Sequence, residues 1–500
     1  MIEVTSVVEA SPVIRQRLTR NERRIRLKKR EPIKLLTHRG TELLFLLLPL
    51  FGHAQTATIN GGTTYQTIDG FGGENGGPFN WASAPFDWNN LSGSSADALF
   101  SASAGIGISI YRTSNVDGTS STLPPDMTAM ESAYQRGARI ELTLSSPPSS
   151  MKYGGAFWNG SAGASGSCVS ASYSTYATYV VQLIQNIQSS GSLTITWIDV
   201  ANEPNNTGGS GPNNGQGACG WSASALDSFV QVLGPALSSA GLSTQIILGE
   251  AYDYANASNY FGTCINDSAC KSYVSVVAGH GYGYPDSPVA PGSGGYPSLS
   301  SGYHIWQGET SDNGATNFNS GMLDSGGATG ALTMAENMHN FLVTGQVSSY
   351  NWWELGYINN GGTCQNCQLV DQNFDFTKRY YAFGNFSKFV RPGMVMIGAT
   401  TNPQAGVYVS AYLNQSNSFA IVVVNANSSS VSQTFNLSGL SAGSVTPYIT
   451  DNNNNLASQT SVPIYEGSFT STLTPSSVTT FVATGNGPEA PSHLTATVRQ

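Results

Sequence analysis

The fold is decided by a stretch in which an apolar run ends at a carboxylate. Residues 197–205 read Trp-Ile-Asp-Val-Ala-Asn-Glu-Pro-Asn. Nearly continuous apolar runs are typical of parallel strands, because helices cover both faces of their sheet. Pro204 cannot continue a strand ladder, and the residue before a proline prefers an extended backbone, so the strand should end there. The sequence therefore predicts that Glu203 lies at the C-terminal tip of a buried strand.

Counting this stretch, eight apolar runs are spaced along the chain, with helical segments between them. We predict strands at residues 68–72, 107–114, 139–146, 196–202, 245–250, 274–279, 303–306 and 349–355. Apolar residues at three- and four-residue spacing predict helices at 173–188, 222–240, 331–343 and 378–390. Alternating strands and helices imply a parallel sheet, and eight units imply closure into an α/β fold of the (β/α)8 TIM barrel type. Active sites of such barrels lie at the C-terminal ends of the strands.

The pattern changes near residue 392. Short alternating segments at 407–413, 418–425, 432–437, 445–450 and 477–483 predict a small antiparallel domain. We therefore divide the chain into five parts, with a β-sandwich fused to the side of the barrel. These parts are a basic extension and signal peptide (1–54), N-terminal strands of the side domain (55–67), the catalytic barrel (68–391), the side β-sandwich domain (392–485), and a tail resembling the start of a fibronectin type III module (486–500).

The charge is concentrated at the start of the chain. Residues 1–54 hold 11 of the 21 Lys and Arg residues, so the remainder is more acidic than the net charge of −9. An acidic body repels phosphate backbones, which argues against nucleic acid as a partner. The apolar run at 43–51 has the length of a signal peptide and is too short to span a bilayer. We expect a secreted or periplasmic protein with no membrane contact after signal removal; a basic tail that binds nucleic acid is the alternative.

Six cysteines in an exported chain predict disulfides, for which 15 connectivities are possible. Closeness in sequence favours Cys264–Cys270 and Cys364–Cys367, which leaves Cys168 to pair with Cys219. The Cys-Gln-Asn-Cys segment at 364–367 could instead suggest a redox or zinc motif, but it lacks the βαβ setting of the first and the further ligands of the second.

Two glutamates at strand tips carry the predicted chemistry. Glu203 ends the fourth predicted strand and Glu309 follows the seventh, and on a closed barrel these two tips face each other. Two carboxyl groups about 5 Å apart are the arrangement of a retaining glycoside hydrolase. We assign Glu309 as the nucleophile and Glu203 as the acid/base. Glu250, after the fifth strand, is the main alternative nucleophile, and neither a metal nor a cofactor is required.

Other residues near the strand tips are candidates for substrate binding. Asn202 can hydrogen-bond a sugar 2-hydroxyl group, a contact that strengthens in the transition state. Arg112 can hold the nucleophile ionised, or it can form a structural ion pair. The remaining candidates are two polar residues after the sixth strand and three aromatic platforms, of which Trp353 is the best placed: His280, Tyr282, Trp353, Trp306 and Trp158.

Taken together, the motifs resemble glycoside hydrolase family 30, and within it the bacterial xylanase and glucuronoxylanase branch. The resemblance rests on Ile-Asp-Gly-Phe-Gly-Gly at 68–73, Leu-Ser-Ser-Pro-Pro at 144–148 with Met-Lys at 151–152, Val-Ala-Asn-Glu-Pro at 200–204, His-Gly-Tyr at 280–282, Gly-Glu-Thr at 308–310, Trp-Trp at 352–353 and Phe-Ser-Lys-Phe-Val-Arg-Pro-Gly at 386–393. It implies a barrel with a side β domain and a retaining mechanism, with the acid/base on Glu203 and the nucleophile on Glu309.

The chain departs from that branch at two places. Members that depend on glucuronate carry arginines after the Trp-Trp pair, whereas residues 354–362 here contain no cation. The family's usual Trp after the Ser-Pro-Pro turn is replaced by Ser149 and Ser150. We therefore expect a monomeric endo-β-1,4-xylanase that acts on xylan without glucuronate dependence. The alternatives are a β-1,6-glucanase, a glucosylceramidase-like β-glycosidase of the same family, or an inactive carbohydrate-binding protein.

Overall fold

The computed structural model describes nine parts of the chain: residues 55–74, 91, 93–208, 217–283, 287–312, 321–323, 330–356, 367–370 and 373–483. The predicted signal peptide, the predicted C-terminal tail and Cys364 lie outside the described residues. None of the helices in the described parts combines the length and the apolar character that a membrane crossing requires.

Eight parallel strands close into a barrel, as the sequence predicts. After β1 (Thr56–Thr67), the barrel strands are β2 (Gly70–Glu74), β3 (Ile110–Ser114), β4 (Arg139–Thr143), β5 (Ile195–Asp199), β6 (Gln245–Ala251), β7 (Val274–His280), β8 (His304–Thr310) and β9 (Ser349–Trp352). Each strand pairs with the next in sequence, and β9 pairs back onto β2. Closure places the C-terminal ends of all eight strands around one mouth.

Seven helices are described in the same parts of the chain. They are α1 (Gly93–Phe100), α2 (Met127–Gln135), α3 (Tyr173–Gly191), α4 (Ala223–Ser239), α5 (Ser258–Asn266), α6 (Ala331–Val343) and α7 (Lys378–Ser387). Three of the four helices predicted from periodicity begin at a hydroxyl side chain that accepts a hydrogen bond from the first turn: Ser172, Ser222 and Thr377. The four predicted helices are therefore correct in type and position. Among the described residues, three short α-helices and four 3-10 helices of three residues each were not predicted.

The side domain is one curled sheet of ten strands. Its strands after the barrel are β10 (Val395–Ala399), β11 (Val407–Leu413), β12 (Phe419–Asn425), β13 (Val431–Ser438), β14 (Ser444–Thr450), β15 (Ala457–Ser458), β16 (Val462–Pro463), β17 (Ser468–Leu473) and β18 (Ser477–Ala483). The N-terminal strand β1 joins this sheet between β10, to which it is antiparallel, and β13, to which it is parallel. Because β1 bridges the two halves, the sheet folds around its own apolar core instead of forming two separate layers.

Two disulfides join loops and helix ends in the described residues. Cys168 pairs with Cys219, and Cys264 pairs with Cys270, as sequence spacing favours. The first bond links the loop after β4 to the loop after β5, and both loops lie on the same side of the barrel as the mouth. The predicted Cys364–Cys367 bond stays a prediction.

Candidate active site

The barrel brings Glu203 and Glu309 together at its mouth. Glu309 belongs to β8, whereas Glu203 lies four residues after the end of β5, on a turn with φ of 43°. The strand ends earlier than predicted, because the backbone N–H of Glu203 leaves the ladder and donates to the Glu250 carbonyl at 2.9 Å. One carboxylate oxygen of each glutamate and a ring nitrogen of His280 all lie within 4.8 Å of one another. That separation is close to the roughly 5 Å used in double displacement at a sugar.

A single buried arginine organises the carboxylates of the mouth. The Arg112 guanidinium, on β3, donates to Glu74 and Glu309 and lies near Glu141 at 3.3 Å and Glu250 at 3.5 Å. It also donates to Asn202 Oδ1 at 2.7 Å. Burial favours the neutral guanidine, but the four carboxylates outweigh it and hold the pKa of Arg112 well above its ordinary value.

Three groups stabilise the ionised form of Glu309. Tyr282 Oη donates to Glu309 Oε1 at 2.7 Å, and His280 Nδ1 lies 3.8 Å from the same oxygen. Burial alone would raise the pKa of Glu309, but His280, Arg112 and the Tyr282 hydrogen bond outweigh it and lower the pKa below the ordinary 4.5. Glu309 is therefore ionised at neutral pH.

His280 connects Glu203 to the rival carboxylate Glu250. Its Nδ1 lies 3.3 Å from Glu203 Oε1 and its Nε2 lies 2.8 Å from Glu250 Oε2. Burial opposes the charge on the imidazole, yet Glu309 and Glu250 raise the pKa of His280 well above its usual value. Both ring nitrogens then donate hydrogen bonds. An ion held by Glu203, His280 and Glu309 would first have to displace a proton from this imidazole.

The mouth carries more acids than its cations can neutralise. Burial, supplemented by the charge of Glu309, raises the pKa of Glu74 to about 7, although Arg112 and a hydrogen bond from Ser114 act against it. Burial also raises the pKa of three further carboxyl groups well above the ordinary range: Glu141, Asp199 and Glu354. Burial thus favours the protonated form of these carboxyl groups, whereas the pKa of Glu309 is lowered.

Known proteins resemble this chain in both sequence and structure. The sequence model described as O-Glycosyl hydrolase family 30 matches residues 124–278. Glucuronoxylanase XynC of Bacillus subtilis (strain 168) is 27% identical over 434 residues, which cover 86% of this chain and 92% of that protein. The crystal structure of Xyn30A, a family 30 subfamily 8 xylanase from Clostridium acetobutylicum, superimposes with a TM-score of 0.70 at 25% identity, covering 86% of this chain and all of that one. Along most of its length this chain is therefore similar to xylanases of glycoside hydrolase family 30.

This similarity supports a retaining glycoside hydrolase with a polysaccharide substrate. The same barrel and side sheet occur in the endo-β1,6-glucanase BT3312, with a TM-score of 0.65 at 21% identity over 86% of this chain and 94% of that one. At that identity the likeness describes the fold alone.

The structure places the three predicted tryptophans differently. Trp353 follows β9, is 9% exposed, and its backbone N–H donates to the carbonyl of Thr310, the residue after Glu309, at 2.7 Å. Trp158 is half-buried in the loop after β4. That loop packs against the segment after Glu203, since Gly160 N–H donates to the Thr207 carbonyl at 3.1 Å. Both side chains therefore belong to loops around the mouth.

Trp306 does not lie at the mouth, and its prediction as a sugar platform was wrong. It is fully buried in a small cluster inside the barrel, where its ring meets Trp197 edge-on at 4.7 Å. Its Nε1 donates to Asp69 Oδ2 at 2.7 Å, near the N-terminal ends of the strands. The predicted strand stopped at 306, whereas β8 continues to Thr310, so Trp306 belongs to the barrel interior.

Sequence reasoning missed Tyr252, which lies beside the two glutamates. Tyr252 directly follows β6, is 45% exposed, and stacks on Tyr282 with ring centroids 4.9 Å apart. Its backbone N–H donates to Asn205 Oδ1 at 3.0 Å, just after the Glu203 turn. The sequence did contain a signal for this residue, because Tyr252 stands two residues after Glu250, at a predicted strand tip. Tyrosines as well as tryptophans at strand tips are therefore candidate sugar platforms.

The loops that bear Glu203 and Trp158 are fastened by a buried lysine. Lys152 Nζ donates to Ser146 Oγ at 2.6 Å and to the carbonyls of Phe157 and Ala218 at 2.7 Å and 2.6 Å. These acceptors come from the loop after β4 and the loop after β5, which the Cys168–Cys219 disulfide also joins. Lys152 and the disulfide therefore fasten the two loops beside Glu203 to each other.

Proposed function

We propose that this chain is a secreted, monomeric, retaining endo-β-1,4-xylanase that cleaves xylan without requiring glucuronate branches. The observation that carries the proposal is the approach of a Glu203 oxygen and a Glu309 oxygen to within 4.8 Å at the mouth of the barrel. The relatives named as a glucuronoxylanase and a xylanase support xylan as the substrate.

The reaction has two steps. In the first, a Glu309 oxygen bonds to the anomeric carbon while the bond to the leaving oxygen breaks, and Glu203 gives that oxygen its proton. In the second, Glu203 takes a proton from water, the water oxygen bonds to the anomeric carbon, and the bond to Glu309 breaks. Two inversions leave the anomeric configuration unchanged, and both carboxyl groups return to their starting states.

The surrounding residues fit these roles. Arg112, His280 and Tyr282 favour the ionised Glu309 that the first step needs. Asn202 accepts from Arg112 through Oδ1, so its amide N–H groups are left to donate, and a sugar 2-hydroxyl is the acceptor we assign. Glu250 is fully buried and lies behind His280 and Arg112, which supports Glu309 over Glu250 as the nucleophile.

Tyr252 and Tyr282 supply an aromatic wall on the leaving-group side. Tyr282 contacts Glu309, and Tyr252 stacks outside it and is linked through Asn205 to the turn that carries Glu203. Because the leaving sugar departs past the acid/base, the exposed ring of Tyr252 is placed to stack on it. We assign Trp353 to the other side, as a platform for the sugar chain that remains on the enzyme.

The charges near the mouth support a neutral substrate. Among the described residues, Arg112 and His280 are fully buried and already paired with carboxylates. Lys152 is occupied by three oxygen acceptors. None of these cations is available to grip a glucuronate branch with two parallel hydrogen bonds. Export is supported by the leader-like apolar run and by two disulfides, which persist in oxidising compartments.

The test is product analysis with purified protein on arabinoxylan, glucuronoxylan and β-1,6-glucan. We expect short xylo-oligosaccharides of mixed length from both xylans, at rates that do not depend on glucuronate content. Cleavage of β-1,6-glucan with no cleavage of xylan would show that β-1,6-glucan, and not xylan, is the substrate. Binding to xylan without new reducing ends would instead favour the inactive carbohydrate-binding alternative.

A further inference from the structure

Glu354 is held between the two strand tips that carry the nucleophile and its neighbouring acid. It lies two residues after β9 and is 1% exposed. The backbone N–H groups on either side anchor it: Trp353 donates to the Thr310 carbonyl at 2.7 Å and Leu355 donates to the Glu74 carbonyl at 2.8 Å. This position is therefore fixed by both neighbouring strands of the barrel.

One oxygen of the Glu354 carboxyl group is unpaired close to two carboxyl groups of the mouth. Its Oε1 is buried without a hydrogen bond to any described residue, and its electrostatic neighbours are Glu74 and Glu309. Glu74 differs in this respect, because Arg112 and Ser114 each donate to one of its oxygens. Buried polar atoms are nearly always hydrogen-bonded in folded proteins, so an unpaired oxygen beside a nucleophile indicates a site completed by a ligand.

We propose that Glu354 is a substrate-binding residue, whose carboxyl group hydrogen-bonds a ring hydroxyl of the sugar that is transferred to Glu309. The inference deepens the proposed function and rests on it. Asn202 approaches the site from the β5 side and Glu354 from the β9 side, so the two residues hold the sugar ring from different directions. Asn202 hydrogen-bonds the 2-hydroxyl group, and Glu354 hydrogen-bonds a hydroxyl group farther round the sugar ring.

The chemistry of the position suits a neutral hydroxyl group. Burial, with added effects of Glu74 and Glu309, raises the pKa of Glu354 and so favours the neutral acid. A neutral carboxyl group can both donate and accept, as a hydroxyl group can. A uronate at this position would meet the negative charge of Glu309. A metal ion is not indicated, because Glu354 belongs to neither of the described groups of three potential metal ligands.

The test compares Glu354→Met and Glu354→Gln on aryl β-xylobiosides with a good leaving group. Met removes the hydrogen bond at similar length, and we expect kcat/KM to fall about tenfold or more, because a buried sugar hydroxyl loses its partner. Gln keeps a donor and an acceptor, and kcat/KM should stay within about threefold of wild type. Glu336→Gln is the matched control, since Glu336 is a partly buried glutamate with a raised pKa on α6, and it should leave kcat/KM unchanged.

Stability separates substrate binding from a structural role. In the free protein Glu354→Met removes no hydrogen bond of Oε1, so the Tm should stay the same or rise. A structural residue would behave in the opposite way, with a lower Tm and an unchanged kcat/KM for the folded enzyme. That result would overturn the proposal, and Glu354→Leu, which also removes the hydrogen bond, supplies the same comparison if the Met variant does not fold.

Substrates that lack one hydroxyl identify the contact. For one deoxy analogue of the transferred sugar, wild type should lose about tenfold in kcat/KM, and Glu354→Met should lose little more. Equal losses in both enzymes for every analogue would contradict the proposal. Wild-type protein that cleaves no xyloside would overturn the proposed function instead, and the two failures differ because every variant is compared with an active wild type.

Discussion

The two ends of the barrel each contain an arginine, fully buried at the mouth and half-buried at the other end, and the two arginines have different surroundings. At the N-terminal end, which we call the floor, Arg139 donates to the Asp69 carbonyl and lies 4.3 Å from the centre of the Trp197 ring. At the mouth, Arg112 faces four carboxylates. At the floor, Asp69 accepts hydrogen bonds from His304 and Trp306, whereas the described part of the mouth holds acids in excess of cations. The polar groups of the floor are paired and contribute to stability. The mouth has more acidic than basic side chains, and these acids include the two glutamates of the proposed reaction.

The largest expected effect concerns the two glutamates that only the mouth provides. Glu309→Ala should lower kcat on xylan by about four orders of magnitude or more. Azide should restore turnover and give a glycosyl azide of inverted configuration, because it attacks the substrate where Glu309 would. Glu203→Ala should give the retained azide, because azide then attacks the intermediate on Glu309. An inverted azide from Glu250→Ala would move the nucleophile to Glu250.

The two arginines give the next largest contrast. Arg112→Met should lower kcat/KM about 100-fold or more, because the charge facing Glu309 and the donor to Asn202 are lost together. It should also cost about 3 kcal/mol in the free energy of unfolding. Arg139→Met should cost about 1–2 kcal/mol and leave the kcat/KM of the folded enzyme unchanged. Equal activity losses in both variants, measured beside urea unfolding, would remove the distinction between the two ends.

Sequence patterns located the barrel because its strands are buried on both faces and leave long apolar runs. All eight predicted strands exist, and the bounds of α6, β11 and β18 match the prediction. The helices α1, α2 and α5 have eight or nine residues, too few for a clear helical period. The strands β15 and β16 have two residues each and leave no alternating pattern.

The candidate site was predictable in part. The strand tips pointed to Glu203, Glu309 and His280, because the ends of parallel strands meet at one face. The partners of Arg112 could not be read from the sequence, since they come from strands 29 to 197 residues away. Trp306 failed for a related reason: an apolar residue three positions before a tip residue can face the interior as easily as the mouth.

The pH dependence of activity reports the ionisation of Glu309. A carboxylate whose pKa is lowered stays ionised at lower pH, so kcat/KM should persist below pH 4.5 before Glu309 is protonated. Tyr282→Phe removes one hydrogen bond to that carboxylate and should move the acidic limb upward by up to about one pH unit. Tyr252→Phe is the control, because it keeps the stacked ring. An unmoved limb in Tyr282→Phe would show that this hydroxyl does not tune Glu309.

The smallest effect concerns the floor. His304 Nδ1 lies 2.5 Å from Asp69 Oδ2, and this hydrogen bond, against partial burial, raises the pKa of His304. A raised folded-state pKa contributes stability at low pH that is lost as pH rises through it. His304→Asn should therefore reduce the fall in Tm between about pH 5 and pH 8, with kcat/KM unchanged. An identical dependence of Tm on pH in the variant would mean that the hydrogen bond between His304 and Asp69 contributes nothing to stability.

Trapping the covalent intermediate tests directly whether Glu309 is the nucleophile. A 2-fluoro xylobioside with a good leaving group slows the second step, so the sugar should remain bonded to the nucleophile. Mass spectrometry of peptic fragments should then locate one sugar adduct on Glu309. An adduct on Glu250, or turnover of the substrate with no adduct, would contradict the assignment on which the mechanism depends.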